Sequence, residues 1–378
     1  NVPVKKYGSG RVVLTAQNIY SNVTTVYEGT LAIQHANALG SSAVGGTTVN
    51  TNAVLEIAGS ITTAGEALTL YGTLSSQSGV NTYAGNVTPI FGSFIDVGPS
   101  SILILSATVN GSTTGSGSFT KTGSGILRIT GDPNQTGLYI INAGTVELNH
   151  SGGTDAPFSI APGATLRELT ANDLSDSMSI TNNGIFDMRT SDTVGMLVGS
   201  GRVTVGTGVS ATLAIGNESS KIATFSGVIE NGFGIMNLQK SGAGTQILSG
   251  TNTYTGTTVL NERSGILLIN SPGALQGTAS VTVNSGSTLG GNGSIMSPVT
   301  VAAGGCLLPA DNGVIGTLTL GSSLTLNGAT LYYDIPATLS ASDVINVAGM
   351  LTVNGVNTIA LSFPGGGASA GDYTLMNF

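Results

Sequence analysis

Short runs of alternating apolar and polar residues recur along the whole chain, separated by turns rich in glycine, threonine and asparagine. Two examples are ILRI at 126–129 and TLTL at 317–320. Successive side chains of a strand point to opposite faces, so each run predicts a strand with one buried and one solvent-facing side. No stretch has the i, i+3, i+4, i+7 apolar spacing of an amphipathic helix. The pattern therefore predicts an all-β fold.

One turn-rich segment occurs three times, at 6–33, 121–148 and 240–263. The intervals between its starts are 121 − 6 = 115 and 240 − 121 = 119 residues, which predicts three modules, 1–115, 116–235 and 236–378, of one continuous solenoid. The motif is Lys-x-Gly-x-Gly followed by Asn-x-Tyr, at Lys6, Gly8, Gly10, Asn18 and Tyr20, at Lys121, Gly123 and Gly125, and at Lys240, Gly242, Gly244, Asn252 and Tyr254. A copy of Asn-x-Tyr without the lysine part lies at Asn81 and Tyr83, whereas the second module has Asn134 and Tyr139 out of register.

Each apolar face is too short to stabilise an isolated hairpin. Stacking of successive turns removes this difficulty, because every strand then pairs above and below and the inward side chains form a continuous core. We therefore predict a parallel β-helix (β-solenoid). Glycine and asparagine suit its corners, where φ is positive and neighbouring turns leave little room. The asparagines of Asn-x-Tyr are expected to form amide ladders, and the tyrosines to cover coil edges.

Two stretches depart from this pattern. Residues 167–192 carry much of the charge and are predicted to form a loop or short helix outside the solenoid. Residues 305–344 lead into longer alternating runs, which predicts turns of different cross-section or a terminal cap.

Composition removes several classes of protein. Charged residues are 8% and hydrophobic residues 40%, which excludes a disordered chain. The net charge is −8 and the one pair of adjacent bases is Lys5-Lys6, so no nucleic-acid partner is expected. No apolar run is long enough for a membrane-spanning helix, and the first residues lack the apolar core of a signal peptide. The single cysteine, Cys306, is expected to be a buried small hydrophobe, with an intermolecular disulfide as the alternative.

The segment at 240–259 closely resembles the autotransporter-associated β-strand repeat of bacterial passengers and of very long exported surface proteins. Residues 225–239 resemble its lead-in, and 316–335, 343–355 and 371–378 are similar to the end of such passengers. The resemblance implies a right-handed parallel β-helix exposed outside a Gram-negative-type envelope. It implies no chemistry, because the repeat is a scaffold with varied functions. No outer-membrane barrel follows here, and Phe378 is expected to close the last strand.

Candidate catalytic and metal sites are few. The one acidic concentration, read mainly as a solvated face, consists of Asp155, Glu168, Asp173, Asp176, Asp187 and Asp192, with Arg167 and Arg189 nearby. Its alternatives are a Ca²⁺ site at Asp173 and Asp176, or a hydrolytic site. A G-x-S-x-G match at 367–371 and the separate histidines His35 and His150 give little support for serine or paired-metal chemistry. The tyrosines are scattered and tryptophan is absent, which disfavours an aromatic sugar-binding platform.

The sequence thus predicts a non-enzymatic extracellular protein without a cofactor. The main interpretation is a stiff surface fibre that self-associates head to tail, since both ends present strands without an evident cap. The alternative is an autotransporter-like adhesin that binds cells or glycans. A polysaccharide-active enzyme is the third interpretation.

Overall fold

The chain is a β-solenoid of parallel sheets in the computed structural model, which describes residues 2–41, 45–110, 117–133, 137–150, 152–206, 208–216, 221–311, 313–337 and 342–378. Within these ranges there are strands and no helix, so the predicted fold class is confirmed. The chain forms two compact units, Asn1–Asp187 and Met188–Phe378. The division into three modules stays a prediction.

The strands are short, and those of the first unit come in chain order as β1 (Val4–Lys6), β2 (Arg11–Leu14), β3 (Thr24–Val26), β4 (Gly29–Ile33), β5 (Thr47–Val49), β6 (Ala53–Ile57), β7 (Leu68–Leu70), β8 (Thr73–Ser76), β9 (Val80–Tyr83), β10 (Val87–Pro89), β11 (Ser93–Val97), β12 (Ile102–Leu105), β13 (Phe119–Thr122), β14 (Ile126–Ile129), β15 (Tyr139–Ile141), β16 (Thr145–Leu148), β17 (Phe158–Ile160), β18 (Thr165–Glu168), β19 (Ser179–Asn182) and β20 (Ile185–Met188).

The second unit continues with β21 (Asp192–Val194), β22 (Met196–Val198), β23 (Arg202–Val205), β24 (Ser210–Ile215), β25 (Ile222–Phe225), β26 (Val228–Gly232), β27 (Ile235–Lys240), β28 (Thr245–Leu248), β29 (Thr251–Asn252), β30 (Thr258–Leu260), β31 (Gly265–Ile269), β32 (Ala274–Leu275), β33 (Val281–Val283), β34 (Ser287–Gly291), β35 (Ser294–Ile295), β36 (Val299–Val301), β37 (Cys306–Pro309), β38 (Thr317–Leu320), β39 (Leu324–Asn327), β40 (Thr330–Asp334), β41 (Val344–Val347), β42 (Leu351–Asn354), β43 (Thr358–Ser362) and β44 (Met376–Asn377).

Strands of the first unit pair in the order expected of a solenoid, each with its counterpart one turn later. One sheet runs β1-β3-β5-β7-β10, a second runs from β2 through β4, β6, β8, β11, β13, β15 and β17 to β19, and a third contains β9, β12, β14, β16, β18 and β20. In the first sheet, residues 4, 24, 47, 68 and 87 are in register, at intervals of 20, 23, 21 and 19 residues. The turns therefore vary in length while the strands stay aligned.

The core of the first unit is a set of inward columns. Leu103, Leu127, Val146, Leu166 and Phe186 occupy equivalent positions on successive strands, and all are fully buried. Each strand contributes little apolar area alone, but stacking places every side chain between two others. Burial of apolar surface at about 25 cal/mol per Å² then stabilises the column as a whole.

The prediction of one loop or helix across 167–192 is wrong, because this stretch contains the end of β18, all of β19 and β20 and the first residue of β21, with a connection at 169–178. Two of its charged residues, Arg167 and Asp187, belong to an ordered ladder of outward side chains. Arg128, Glu147, Arg167 and Asp187 are in register on β14, β16, β18 and β20. The Arg128–Glu147, Arg167–Glu147 and Arg167–Asp187 ion pairs measure 2.7, 3.0 and 2.7 Å. Alternating charges at one strand spacing attract their neighbours, so a charged segment can remain in the sheet.

The second unit continues its stack of strands through 305–344, where turns of different cross-section or a terminal cap stay a prediction. Its sheets run β21-β24-β27-β30-β33-β36-β39-β42, β25-β28-β31-β34-β37-β40-β43 and β29-β32-β35-β38-β41-β44. In the first of these sheets, residues 281, 299, 324 and 351 are in register, at intervals of 18, 25 and 27 residues. The extra residues lie between strands, so the stack continues. Among the described residues, no helix could cross a membrane.

Aromatic side chains also stack inside the first unit. Phe119, Tyr139 and Phe158 are in register, with ring centroids 4.5 and 5.1 Å apart. The Tyr139 hydroxyl is buried and has no hydrogen-bond partner among the described residues. By contrast, the buried Tyr254 hydroxyl lies 2.6 Å from Thr258 Oγ1.

We expect Tyr139→Phe to raise the free energy of unfolding or leave it unchanged, because the substitution removes a buried polar group without a partner. Tyr254→Phe should lower it by about 1 kcal/mol, because a formed hydrogen bond is lost. Urea denaturation of both variants checks this, and equal losses of stability in the two would contradict it.

Candidate functional site

The lysine of each repeat is buried at a corner of the solenoid. Lys121 is fully buried, and its Nζ donates to the carbonyl oxygens of Thr122, Gly123 and Ala143 at 2.7, 2.7 and 3.2 Å. The third acceptor belongs to the next turn. The Lys6 Nζ donates in the same way to three carbonyls, one of them also from the next turn.

Lys240 repeats this arrangement in the second unit. Its Nζ donates to the carbonyl oxygens of Gly242 and Ser264, at 2.5 and 2.7 Å. Burial lowers the pKa of both Lys121 and Lys240 to about 8, so each ammonium still holds its proton at pH 7. The motif lysine therefore joins adjacent corners by charge-assisted hydrogen bonds.

The glycines of the second copy of the motif allow this close stacking, whereas a Cβ on Gly8 or Gly10 of the first copy would meet no atom of the described residues within 4 Å. Gly123 has a φ of +70°, and a Cβ there would lie 2.1 Å from the Val97 carbonyl oxygen. A Cβ on Gly125 would lie 2.2 Å from the carbonyl oxygen of Gly98. Neither position can accept a side chain without moving the turn below, which agrees with the expectation for the corners.

The asparagines of Asn-x-Tyr bond to backbone groups instead of forming the predicted ladders. The Asn252 Oδ1 accepts from the Ile229 amide at 2.9 Å, and its Nδ2 donates to the Gly250 and Ala274 carbonyls. Asn81 is buried and is used similarly, and the half-buried Asn18 donates to a carbonyl one turn away. Amide ladders form elsewhere, at Asn327–Asn354 and at Asn346–Asn377, each with an N···O distance of 2.8 Å.

The motif tyrosines are structural. Tyr83 and Tyr254 are fully buried inside the coil, whereas Tyr20 is half-buried and lies nearer the predicted edge position. The Tyr83 hydroxyl donates to the Glu66 carbonyl at 2.9 Å, and the Tyr20 hydroxyl lies 2.9 Å from Thr24 Oγ1. These hydroxyls are engaged within the protein, so the motif itself offers no ligand site.

The acidic concentration does not come together as one site. Asp155 and Asp176 are exposed, whereas Asp173 and Glu168 are fully buried. Both oxygens of Asp173 accept hydrogen bonds, from the Thr170 amide and hydroxyl and from the His150 amide. Asp187 pairs with Arg167 in the ion-pair ladder. The Asp192 carboxylate accepts from the Thr193 amide, and Arg189 lies over Gly206.

The Ca²⁺ site at Asp173 and Asp176 has no supporting geometry. Among the described residues, no group of three or more histidine, cysteine or acidic side chains could hold one metal ion. The donors around Asp173 are the Thr170 amide and hydroxyl of its own turn and the His150 amide of the preceding turn, so this carboxylate fixes its turn and joins it to the one before.

The remaining candidates are also structural. Ser369 of the G-x-S-x-G match donates its hydroxyl to the Ala337 carbonyl at 2.6 Å, within a glycine-rich turn and not a strand-to-helix elbow. Cys306 is half-buried, where full burial was predicted, because it occupies an outward position of β37. The His35 Nδ1 accepts from the Asn37 amide.

His150 is buried beside Asp173, with Nδ1 and Oδ1 3.8 Å apart. Burial lowers the pKa of His150 below its ordinary value, although Asp173 opposes this shift. The uncharged ring is therefore the form that the folded unit favours.

Tyrosines that the sequence pattern left scattered line up on the outside of the first unit. Tyr7, Tyr27, Asn50 and Tyr71 each follow a strand of the sheet β1-β3-β5-β7-β10, one turn apart. Their amides continue the interstrand ladder, from Tyr27 to the Lys6 carbonyl and onward at each turn. The Tyr7 and Tyr27 rings stack with centroids 4.7 Å apart and planes 3° apart. Tyr7 and Tyr71 of this column are exposed, and Tyr27 and Asn50 are half-buried.

We expect Lys121→Met to lower the free energy of unfolding by about 1–3 kcal/mol, because it leaves corner carbonyls without their donor. Lys5→Met is the matched control, since Lys5 is exposed and a surface change stays within about ±0.5 kcal/mol. Urea denaturation at pH 7 measures both, and equal midpoints for the two variants would refute the role of Lys121.

The contribution of His150 to the stability of the first unit should fall as the pH drops below about 6.5, the ordinary pKa of histidine. The unfolded chain binds a proton there more readily than the folded unit, in which the pKa of His150 is lowered. His150→Gln should therefore lose less stability than the parent between pH 7.5 and 5. Thermal unfolding across this range checks it, and parallel pH profiles would contradict it.

Comparison with known proteins agrees with the repeat motif. A family model described as the passenger-associated-transport-repeat matches residues 4–33, 119–148 and 238–268. These ranges include the corners at Lys6, Lys121 and Lys240. The chain is also 31% identical over 268 residues to the adhesin BmaC autotransporter of Brucella suis biovar 1 (strain 1330). The aligned part is 68% of this chain and 7% of that relative, so the chain spans a small part of its length. Three matched repeats together with this likeness confirm that the chain belongs to the passenger-associated-transport-repeat family of autotransporter-type proteins.

Proposed function

We propose that this chain is part of an adhesin-type passenger, held outside the bacterial cell, whose solenoid carries surfaces that contact other cells. The observation that carries the proposal is the 31% identity with an autotransporter adhesin over 68% of the chain. A solenoid supports this role, because its core is internal and its outward columns are free to differ.

We infer in addition that the chain is not an enzyme. The side chains that could serve in catalysis are used in structure: Asp187 in an ion pair, Asp173 in a turn, and Ser369 in a bond to a carbonyl. Chemistry needs such groups to converge on one reacting atom, and these support no such arrangement.

The test is adhesion by the purified chain. Beads coated with it should bind cultured epithelial cells several-fold more than albumin-coated beads, because adhesion requires only the folded surface. Beads carrying the heat-unfolded chain are the matched control and should bind as albumin does. Adherence of the folded chain equal to albumin at every coating density would refute the proposal. Labelling of intact bacteria with antibody to the chain tests the location.

The head-to-tail filament stays a prediction that ranks below the adhesin, because the comparisons support adhesion and give no support to a filament. Electron microscopy of the purified chain over a wide concentration range tests it. Discrete monomers throughout that range would exclude the filament.

A further inference from the structure

The outer face of the sheet β1-β3-β5-β7-β10 presents two parallel columns of side chains, which together we name the tyrosine–threonine face. One column is a ladder of threonines in register, Thr25, Thr48, Thr69 and Thr88. The second column lies two residues further along the chain. Its members Tyr7, Tyr27, Asn50 and Tyr71 follow Lys5, Thr25, Thr48 and Thr69, and Ile90 follows Thr88. Neighbouring strands lie about 4.7–4.9 Å apart, so both columns repeat at that spacing.

The aromatic side chains of this face are open to solvent. Tyr7 is 60% exposed and Tyr71 42% exposed, and Tyr27 is half-buried. Core residues lie on the opposite side of the same strands: Val26, Val49 and Leu70 are fully buried. The tyrosines therefore add nothing to the core of the solenoid. Exposed aromatic side chains that are aligned on one face are typical of an interaction surface.

Threonine ladders alone do not indicate binding. The second unit has one too, at Thr282, Thr300, Thr325 and Thr352. Threonine suits solvent-facing strand positions, and its pairs across strands are favourable. The neighbouring column differs between the units, since in the second unit its last two positions, Asn327 and Asn354, bond to each other in an amide ladder. The tyrosines thus distinguish the face of the first unit.

We propose that the tyrosine–threonine face binds a neutral polysaccharide chain, lying along the columns. Aromatic rings pack against the apolar C–H faces of sugars, while hydroxyl and amide groups bond to sugar hydroxyls. Asn50 lies between Tyr27 and Tyr71 in the column, so a polar group separates two aromatic groups. A polymer of repeating sugar units can make similar contacts with successive strands of such a face, because the face also repeats from turn to turn.

The charges favour a neutral polymer over a charged one. The ladder from Thr25 to Thr88 contains hydroxyl groups alone, and the charged neighbours Lys5 and Glu28 lie at the end near β1. A polyanion such as a nucleic acid needs several basic side chains along its path, and the net charge of the chain is −8. This inference rests on the proposed adhesin function and names the ligand class of one surface.

The test is retention of the full chain by amorphous cellulose and by mannan, two neutral polysaccharides, with heparin beads as the polyanionic control. Tyr27→Ala/Tyr71→Ala should reduce retention on at least one neutral polysaccharide by about tenfold or more, since each aromatic contact contributes on the order of 1 kcal/mol. Tyr332→Ala is the matched control and should leave retention unchanged. Tyr332 is a tyrosine of the second unit with 43% exposure, close to that of Tyr71.

Three outcomes would overturn the inference: no retention of the parent chain by either neutral polysaccharide, equal retention of the double variant, or preferential retention by heparin. Unchanged thermal midpoints establish that the variants are folded.

The bead assay separates this inference from the proposed function. Failure of the parent chain to adhere to cells removes the adhesin, whereas equal retention of the double variant and the parent on polysaccharide removes the glycan surface and leaves the adhesin intact. Retention on polysaccharide is scored independently of both results.

Discussion

The contact between stacked corners is the constraint on which both units depend. Parallel strands at one strand spacing bring each corner against the corner of the turn before, and carbonyl oxygens collect there. Two devices manage this contact. Gly123 removes the Cβ that would lie 2.1 Å from the Val97 carbonyl oxygen, and Lys121 supplies donors to three corner carbonyls. A side chain at position 123 would keep the turns from approaching, and without the Lys121 ammonium the buried carbonyl oxygens would lack a hydrogen-bond donor.

Once the corners fix the register, the strand side chains of successive turns align in columns. A column that points inward packs in the core, and a column that points outward forms part of the surface. Inward columns such as Leu103, Leu127 and Val146 make the core. Outward columns place similar or complementary side chains next to one another at the spacing of the strands. Alternating charges form the ladder from Arg128 to Asp187, and asparagines form the Asn327–Asn354 amide pair. Such arrays are absent from any one turn and exist because the turns are stacked in register.

The fold followed from the sequence because alternation and corner glycines are local signals. Three features were not predictable in this way. A lysine normally indicates a solvated position, so the burial of Lys121 and Lys240 was missed. The charges of 167–192 indicated a projecting loop, although opposite charges in register stabilise a sheet. Tyr7, Tyr27, Asn50 and Tyr71 are separated by 20, 23 and 21 residues, and unequal turn lengths hide their alignment until the strand register is known.

Stability and the proposed recognition therefore use neighbouring residues of the same turn. In β3, Val26 is fully buried in the core, while the next residue, Tyr27, stacks on Tyr7 at the surface. A change at the inward position disturbs the packing of two neighbouring turns. A change at the outward position alters the surface and leaves the corner contacts and the register in place. Substitutions at outward positions can in this way change the surface of a solenoid while its corners and core stay the same. This explains how one repeat serves as a scaffold for varied surface functions.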